Sequence, residues 1–258
     1  MSASPTLRFS NRVDNYIKYR PGYPAEMFSF LVKEKILKGD SVIADIGSGT
    51  GISSKMFLDN GNVVYGIEPN KEMREAAEKI LGGNKNFKSI NGSAEKTTLK
   101  NKSVDIIIAA QAFHWFDKEL FKEEAKRILK PEGFVIIAWN DRLTDETEFL
   151  MEYENLLHNF STDYSVVNHK NISSKDIRNY FLSFIDNKSF KEATFKNYQD
   201  FDFEGLKGRL NSSSYAPTEE HEKYAEMMKE LKRVYDTFNK DGIVRFEYDT
   251  ILYTGQIK

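Results

Sequence analysis

The 258-residue chain contains no cysteine. A disulfide-stapled scaffold, a thiolate-bound zinc and a thiol nucleophile are therefore excluded. Long apolar runs are missing too. The strongest, Ile106 to Ala110 and Phe134 to Trp139, are far too short to span a bilayer. The opening twelve residues lack the apolar core of a secretory leader. No sign of charge dominates: 37 Lys and Arg against 39 Asp and Glu leave −2, with no basic half or tail. A general nucleic-acid binder would carry a positive footprint, so that class loses ground. Histidine is scarce, and His158, His169 and His221 are scattered in a way that reads as structural or exposed. Repeats of solenoid or propeller length and low-complexity segments are absent. What remains is a globular chain, long enough for one large domain or a domain with a modest cap. It is expected to be soluble and cytoplasmic.

The pattern that is present alternates strand with helix. Ser41 to Ile46 reads as a short apolar strand running into Gly47-Ser48-Gly49-Thr50-Gly51, and Ile52 to Leu58 as a helix. Asn62 to Glu68 predicts a second strand, followed by a helix over 71–81 with Met73, Ala76, Ala77 and Ile80 on one face. Phe87 to Asn91 is a brief third strand. Val104 to Ala110 is a fourth, and its unbroken apolar character marks burial on both faces. A helix over 118–129 ends at Lys130-Pro131-Glu132-Gly133, a turn by composition, before a fifth strand at Phe134 to Trp139. This spacing implies right-handed crossovers and a doubly wound, mostly parallel α/β sheet.

Around that core the sequence predicts helices. Residues 10–38 hold an amphipathic helix with Val13, Tyr16 and Ile17, a break at Pro21 to Pro24, and a second helix with Phe28, Leu31 and Val32 inward. Residues 145–186 hold two more, and the tail places strands at 189–203 and 243–257 around a helix over 219–238. The expected division is a helical lid over 1–38, the α/β core over 39–142, a helical cap insertion over 143–188, and 189–258 completing the sheet. An insertion after the fifth strand would lie near the carboxyl ends of the strands, where open α/β sheets bind ligands.

The glycine loop is the strongest motif. Its third glycine arrives one residue early for the dinucleotide pattern G-x-G-x-x-G, and Gly51-Ile52-Ser53 lacks the lysine of a phosphate-binding P-loop. Asp45, just ahead of the loop, is an awkward neighbour for a pyrophosphate and a good one for a cation. Seventeen residues past Gly51, Glu68 ends the second strand, where an acid can accept hydrogen bonds from both hydroxyls of a ribose. The loop suits a nucleoside that carries a positive group and no phosphate. A nicotinamide-dependent dehydrogenase founders on the glycine spacing.

Asp45 to Gly51, Glu68-Pro69, Gly92-Ser93-Ala94-Glu95, Ala110-Gln111-Ala112 and Leu129 to Gly133 match, in order and spacing, the motifs of class I S-adenosylmethionine-dependent methyltransferases. The resemblance covers about residues 10–140. Phe9 to Val13 with Tyr19 to Pro24, the run Ala110 to Phe116, and Ser213-Ser214-Tyr215 with Pro217 resemble more narrowly the type 11 group that includes trans-aconitate methyltransferase-like proteins. The resemblance implies a seven-stranded Rossmann-like sheet with an N-terminal helical lid and a helical insertion after strand five.

It also implies roles. Gly47, Ser48, Gly49 and Gly51 would pack against the methionine part of S-adenosylmethionine, with Asp45 near its ammonium. Glu68 would hold the ribose hydroxyls, Pro69 or Met73 would flank the adenine, Ser93, Ala94 and Glu95 would meet its edge, and Gln111 would sit beside the methionine moiety. Glu95, next to Lys96 and Lys100, reads equally as a surface charge. Tyr16, Tyr19 and Arg20 could close over the site, with Arg20 clamping a carboxylate of cofactor or substrate, or standing in solvent at a helix end. His114, the one histidine inside the motif block, could act as general base for a hydroxyl, or with Trp115 simply pack its loop. An ionised carboxylate would need no base.

No metal is expected, since Gln111 and Asn140-Asp141 do not make a site. The expected product is S-adenosylhomocysteine, and the expected substrate is a small molecule, by O-methylation of a carboxylate or hydroxyl. Neither nucleic acid nor membrane is expected as a partner, and the chain would be a monomer or homodimer. Methylation of a protein or nucleic acid, and cofactor binding without turnover, stand as alternatives.

Overall fold

A computed structural model describes residues 13–162, 164 and 174–258. Phe9 to Arg12 of the opening motif, and His169, lie outside the described residues. The first helices are α1 (Val13–Tyr19) and α2 (Ala25–Lys33). The core then runs β1 (Val42–Ile46), α3 (Ile52–Asp59), β2 (Val63–Ile67), α4 (Lys71–Leu81), β3 (Phe87–Ile90), β4 (Val104–Ala110), α5 (Lys118–Ile128) and β5 (Leu129–Arg142). The remaining elements are α6 (Glu148–Phe160), α7 (Ser174–Phe184), β6 (Lys191–Phe201), α8 (Phe203–Asn211), α9 (Tyr224–Phe238) and β7 (Val244–Gln256).

The described strands form one seven-stranded sheet of order β3-β2-β1-β4-β5-β7-β6. The first five are parallel, and β7 and β6 close the edge in antiparallel register. The expected doubly wound α/β sheet is therefore present. Local side chains set the helix starts. Asn70, Asp117, Thr147 and Asp202 each accept a backbone N–H at the first turn of α4, α5, α6 and α8, the usual way a helix satisfies its orphan donors.

One sheet face packs on α2, α3 and α4, through Met27, Leu31, Phe57, Leu58, Ala77 and Leu81. The other packs on α5 and α7, through Phe121, Ala125, Ile128, Ile177, Phe181 and Phe184. A third cluster joins α6, α8 and α9 to the start of β7, with Tyr153, Leu157, Leu210, Leu231, Phe246 and Tyr248 buried. Because Arg142 pairs with Tyr248, this cluster sits at the carboxyl end of β5. Residues 143–188 thus divide between two packings: α6 belongs to this third cluster, and α7 covers the sheet.

Several details differ from the sequence reading. Ile17, Val32 and Ile80, expected inward, are exposed, while Met27 and Leu31 are the buried residues of α2 and Leu81, next to Ile80, is buried in α4. The turn expected at Lys130 to Gly133 is a bulge inside one long strand. The β4–β5 register jumps from Val104↔Leu129 to Ile106↔Phe134, and Glu132 takes a left-handed φ of 67°. Helix α8 was not expected at all.

Candidate functional site

The glycine loop leaves β1 and is latched to the end of β2, where the amides of Gly47 and Ser48 donate to the Ile67 carbonyl at 2.8 and 3.1 Å. Gly47, Gly49 and Gly51 all take positive φ, a region open to glycine at little cost. Glu68 Oε2 accepts from the Gly49 amide at 2.9 Å and Oε1 from the Asn70 amide at 2.8 Å. Burial raises its pKa against the pull of those two hydrogen bonds. Each oxygen keeps a further lone pair for a ligand hydroxyl.

A cavity of about 410 Å³ opens over this loop at the carboxyl ends of the strands. Gly47, Ser48, Gly49, Glu68, Pro69 and Met73 form part of its wall; Ser93, Ala94, Glu95 and Gln111 form another part. Glu95 also caps the start of α5, accepting from the Asp117 amide at 2.9 Å. Gln111 holds a φ of 58°, rare for a residue with a side chain, and is fixed there by two bonds. Its amide donates to the Ala138 carbonyl and its Nε2 to the Asn140 carbonyl, both at 3.0 Å.

Two expected contacts stand behind that wall. Gly51 faces Leu81, whose Cδ1 would lie 2.4 Å from an added Cβ. Asp45 is fully buried, with Oδ2 accepting from the Ser53 and Ser54 hydroxyls at 2.6 Å each. Its Oδ1 is buried without a partner, and burial pushes the carboxyl up to about 6. Asp45 therefore anchors the first turn of α3 beneath the loop, and an orphaned acceptor faces that interior.

Of the expected substrate residues, Tyr16, Arg20, His114 and Trp115 line the cavity. Tyr19 does not. Its ring lies on α8, where a Cβ at Gly208 would come within 1.9 Å of Tyr19 Cε2. His114 lies in a short 3-10 turn after β4, its ring between Trp115 and Trp139 at centroid distances of 4.4 and 5.1 Å.

The sequence reading missed three further residues of the wall. Arg142, Arg209 and Tyr248 reach the same cavity. Pairing of β5 with β7 places Arg142 opposite Tyr248, and the Tyr248 hydroxyl accepts from Arg209 Nε at 3.4 Å. Arg209 Nη1 donates to Ser213 Oγ at 3.1 Å, and Arg20 Nη2 donates to the Ser212 carbonyl at 2.8 Å. Arg142 Nη2 pairs with Glu154 Oε2. Arg142 and Arg209 are 4% and 6% exposed, and burial works to lower their pKa values. Surrounding tyrosines, with Glu154 at Arg142, outweigh it and hold both above the ordinary range. Arg20 is depressed, first by burial and then by the charge of Arg209. The cavity wall thus sets carboxylates near the glycine loop and guanidiniums elsewhere among largely apolar side chains. Such a vessel fits a cationic nucleoside beside an anion. Among the described residues no cluster of His, Asp and Glu could hold a metal ion.

Residues 44–137 match the family model described as a methyltransferase domain. The chain is 28% identical over 156 residues to a methyltransferase-like protein of Schizosaccharomyces pombe, an alignment covering 60% of this chain and 59% of that one. Against that relative the chain thus spans about three fifths of the length. A methyltransferase-named protein of the same yeast is 26% identical over 250 residues, 96% of each chain. Among solved structures, a candidate type II methyltransferase of Anaeromyxobacter dehalogenans superposes with a TM-score of 0.68 at 22% identity, covering 92% of this chain and 98% of that one.

Proposed function

We propose, from the premise that residues 44–137 are a methyltransferase domain of the class I S-adenosylmethionine-dependent kind, that the whole chain methylates a carboxylate oxygen of a small molecule. The observation that carries this reading is the polarity of the cavity. Glu68 and Glu95 lie in the wall on the glycine-loop side, and Arg20, Arg142 and Arg209 line the remainder.

The residues at the loop fit the cofactor. The part-engaged carboxylate of Glu68 is an acceptor awaiting donors, and two ribose hydroxyls supply them; Asp45, behind the wall, supports the loop from beneath. An added Cβ at Gly49 would meet only Met73 Cε, at 3.5 Å, so the backbone there is open to close approach. Glu68 would hold the ribose, Pro69 and Met73 would flank the adenine, and Ser93, Ala94 and Glu95 would border its edge. Gln111, its NH₂ held by the Asn140 carbonyl, would sit beside the methionine part. When bound, S-adenosylmethionine supplies a methyl group on a sulfonium, whose sulfur departs as a neutral thioether.

The protein's own work is then alignment and exclusion of water. The arginines orient the acceptor carboxylate, which is already ionised at neutral pH and requires no base. A hydroxyl acceptor is the second reading. The placement of His114 in the cavity wall favours it, as imidazole could take the proton.

Calorimetric titration with S-adenosylhomocysteine, with NADH as control, tests the reading. Binding of the homocysteine compound alone, weakened in Glu68→Ala, is expected. Preference for NADH, or no binding by folded protein, refutes it. Transfer of labelled methyl to carboxylates rather than phenols then separates the two acceptors.

A further inference from the structure

Residues 13–24 form a strap along one side of the cavity, which Tyr16, Arg20, Pro21 and Tyr23 help to line. Within it, α1 lies against α8 and reaches α4. The strap therefore bridges the helix that carries Arg209 and the helix that carries Met73, both wall residues. Bonds to the rest of the chain gather near its exit. Gln199 Nε2 donates to the Tyr19 carbonyl at 3.2 Å, and Arg20 Nη2 to the Ser212 carbonyl at 2.8 Å. The Gly22 carbonyl accepts twice, from Asn140 Nδ2 at 3.0 Å and from Asn197 Nδ2 at 2.9 Å.

The sheet sets this double clasp. Pairing of β5 with β7 puts Asn140 opposite Thr250, while Asn197 and Gln199, two apart on β6, share a face. A carbonyl can only accept, so Asn140 turns its NH₂ to Gly22 and its oxygen away. That oxygen accepts from the Thr250 hydroxyl at 2.5 Å and from Asn197 Nδ2 at 3.3 Å. Tyr248 orients Gln199 in the same manner, donating to Oε1 at 2.9 Å and leaving the NH₂ for Tyr19. The Asn140 carbonyl also holds Gln111 Nε2, so one residue ties both the strap and a wall residue of the cofactor side.

Gly22 stands between Pro21 and Pro24, whose rings fix their own backbone. A Cβ added at Gly22 would meet nothing within 4 Å, and its φ lies outside the left-handed region. Neither crowding nor strain calls for glycine there. What glycine supplies at that place is a joint between two stiff residues.

Within the methyl-transfer reading, on which this rests, we propose that Asn140 and Asn197 are positioning residues that clasp the Gly22 carbonyl to hold the strap closed, and that the clasp opens about Gly22 each time the S-adenosyl ligand exchanges. Tyr16 and Arg20 ride on the strap, so the clasp also sets when they stand in the wall. A ligand that enters only the open form associates at a rate proportional to the open fraction. Weakening the clasp therefore quickens entry as well as exit, whereas loss of an ordinary contact to the ligand quickens exit alone.

The test uses the full chain and tritiated S-adenosylhomocysteine, with association followed by rapid filtration and dissociation by chase with unlabelled compound. Asn197 stands outside the cavity wall, so its side chain acts on the ligand through the strap. Asn197→Ala is expected to raise both rates about two- to tenfold, the worth of one neutral hydrogen bond, and to move the equilibrium affinity less than either rate. Asn140→Asp, which sets a carboxylate oxygen against the Gly22 carbonyl, should do the same more strongly. Gly22→Ala fits the closed strap and stiffens the joint, and is expected to slow both rates about two- to fivefold. Faster dissociation with unchanged association in Asn197→Ala overturns the proposal, and so do unmoved rates in that variant or faster exchange in Gly22→Ala. Should Asn140→Asp not fold, Asn197→Ala and Gly22→Ala decide between them. Failure of S-adenosylhomocysteine to bind the wild type overturns instead the methyl-transfer reading.

Discussion

Replacing Asp45 with asparagine isolates one buried charge and its effect on stability. In the folded chain the carboxyl titrates at about 6 against 3.8 when free, because burial penalises its ionised form. The folded state therefore binds this proton more tightly than the unfolded state. The stabilisation is fully present at low pH and is lost as pH rises from about 4 through 6. A hundredfold difference in proton affinity is worth about 3 kcal/mol. About 1 kcal/mol of that is spent by pH 4.5 and nearly all of it by pH 7.5, so about 2 kcal/mol falls in the window between. Urea midpoints of the wild type and Asp45→Asn across that window give the measurement. The wild type should lose about 2 kcal/mol relative to the variant as pH rises. A constant cost from placing an amide beside Ser53 and Ser54 shifts one curve and leaves the difference in slope untouched. Parallel curves would refute the reasoning, because they would mean that Asp45 titrates as an ordinary carboxyl.

Two glycines of one loop should respond to alanine differently. Gly51→Ala combines a φ of 88° with a Cβ 2.4 Å from Leu81 Cδ1 and should lower stability by about 2–4 kcal/mol in urea melts. Gly49→Ala meets only Met73 Cε at 3.5 Å and should cost about 1–2 kcal/mol from the backbone alone, while S-adenosylhomocysteine affinity falls sharply. Equal destabilisation by the two would discredit this placement of the loop. His114→Gln should change carboxylate methylation less than about threefold and slow a phenol acceptor about a hundredfold or more. Matching losses on both acceptors would remove the base role.

Much of the glycine-loop end of the cavity was legible because it is local. A strand, three glycines and an acid at the next strand's end are fixed by sequence spacing, and the parallel pairing Asp45↔Gly66 brings them side by side whatever the rest of the chain does. At the arginine end Arg20 was legible, but Arg142 and Arg209 were not, because distant pairing brings them there. Arg142 and Tyr248 meet only through antiparallel β5–β7 register across more than a hundred residues. Arg209 rides on α8, where Gly205 and Gly208 depress the helix signal. Gly208 is there because the Tyr19 ring lies against it, so the cause of the weak signal is itself a tertiary contact. The one local clue was Asp202, whose Oδ1 accepts from the Gly205 amide at 2.7 Å to start the helix. The exposure of Ile80 and Val32 has a similar origin, since periodicity shows that a helix has an apolar side but not how far round the neighbouring sheet reaches.

The aromatic pair around His114 has a practical consequence. Trp115 and Trp139 are the chain's two tryptophans, and both stand in the cavity wall. Trp139 is 6% exposed and Trp115 40%. The indole emission of the chain, excited on the long-wavelength side of tyrosine absorption, therefore originates entirely in the wall of the site, from one shielded and one wetted indole. A molecule that settles there changes the solvation of the second and the surroundings of the first, so an unlabelled sample reports its own occupancy. The tyrosine- and phenylalanine-built cluster around Phe246 contributes no indole light of its own.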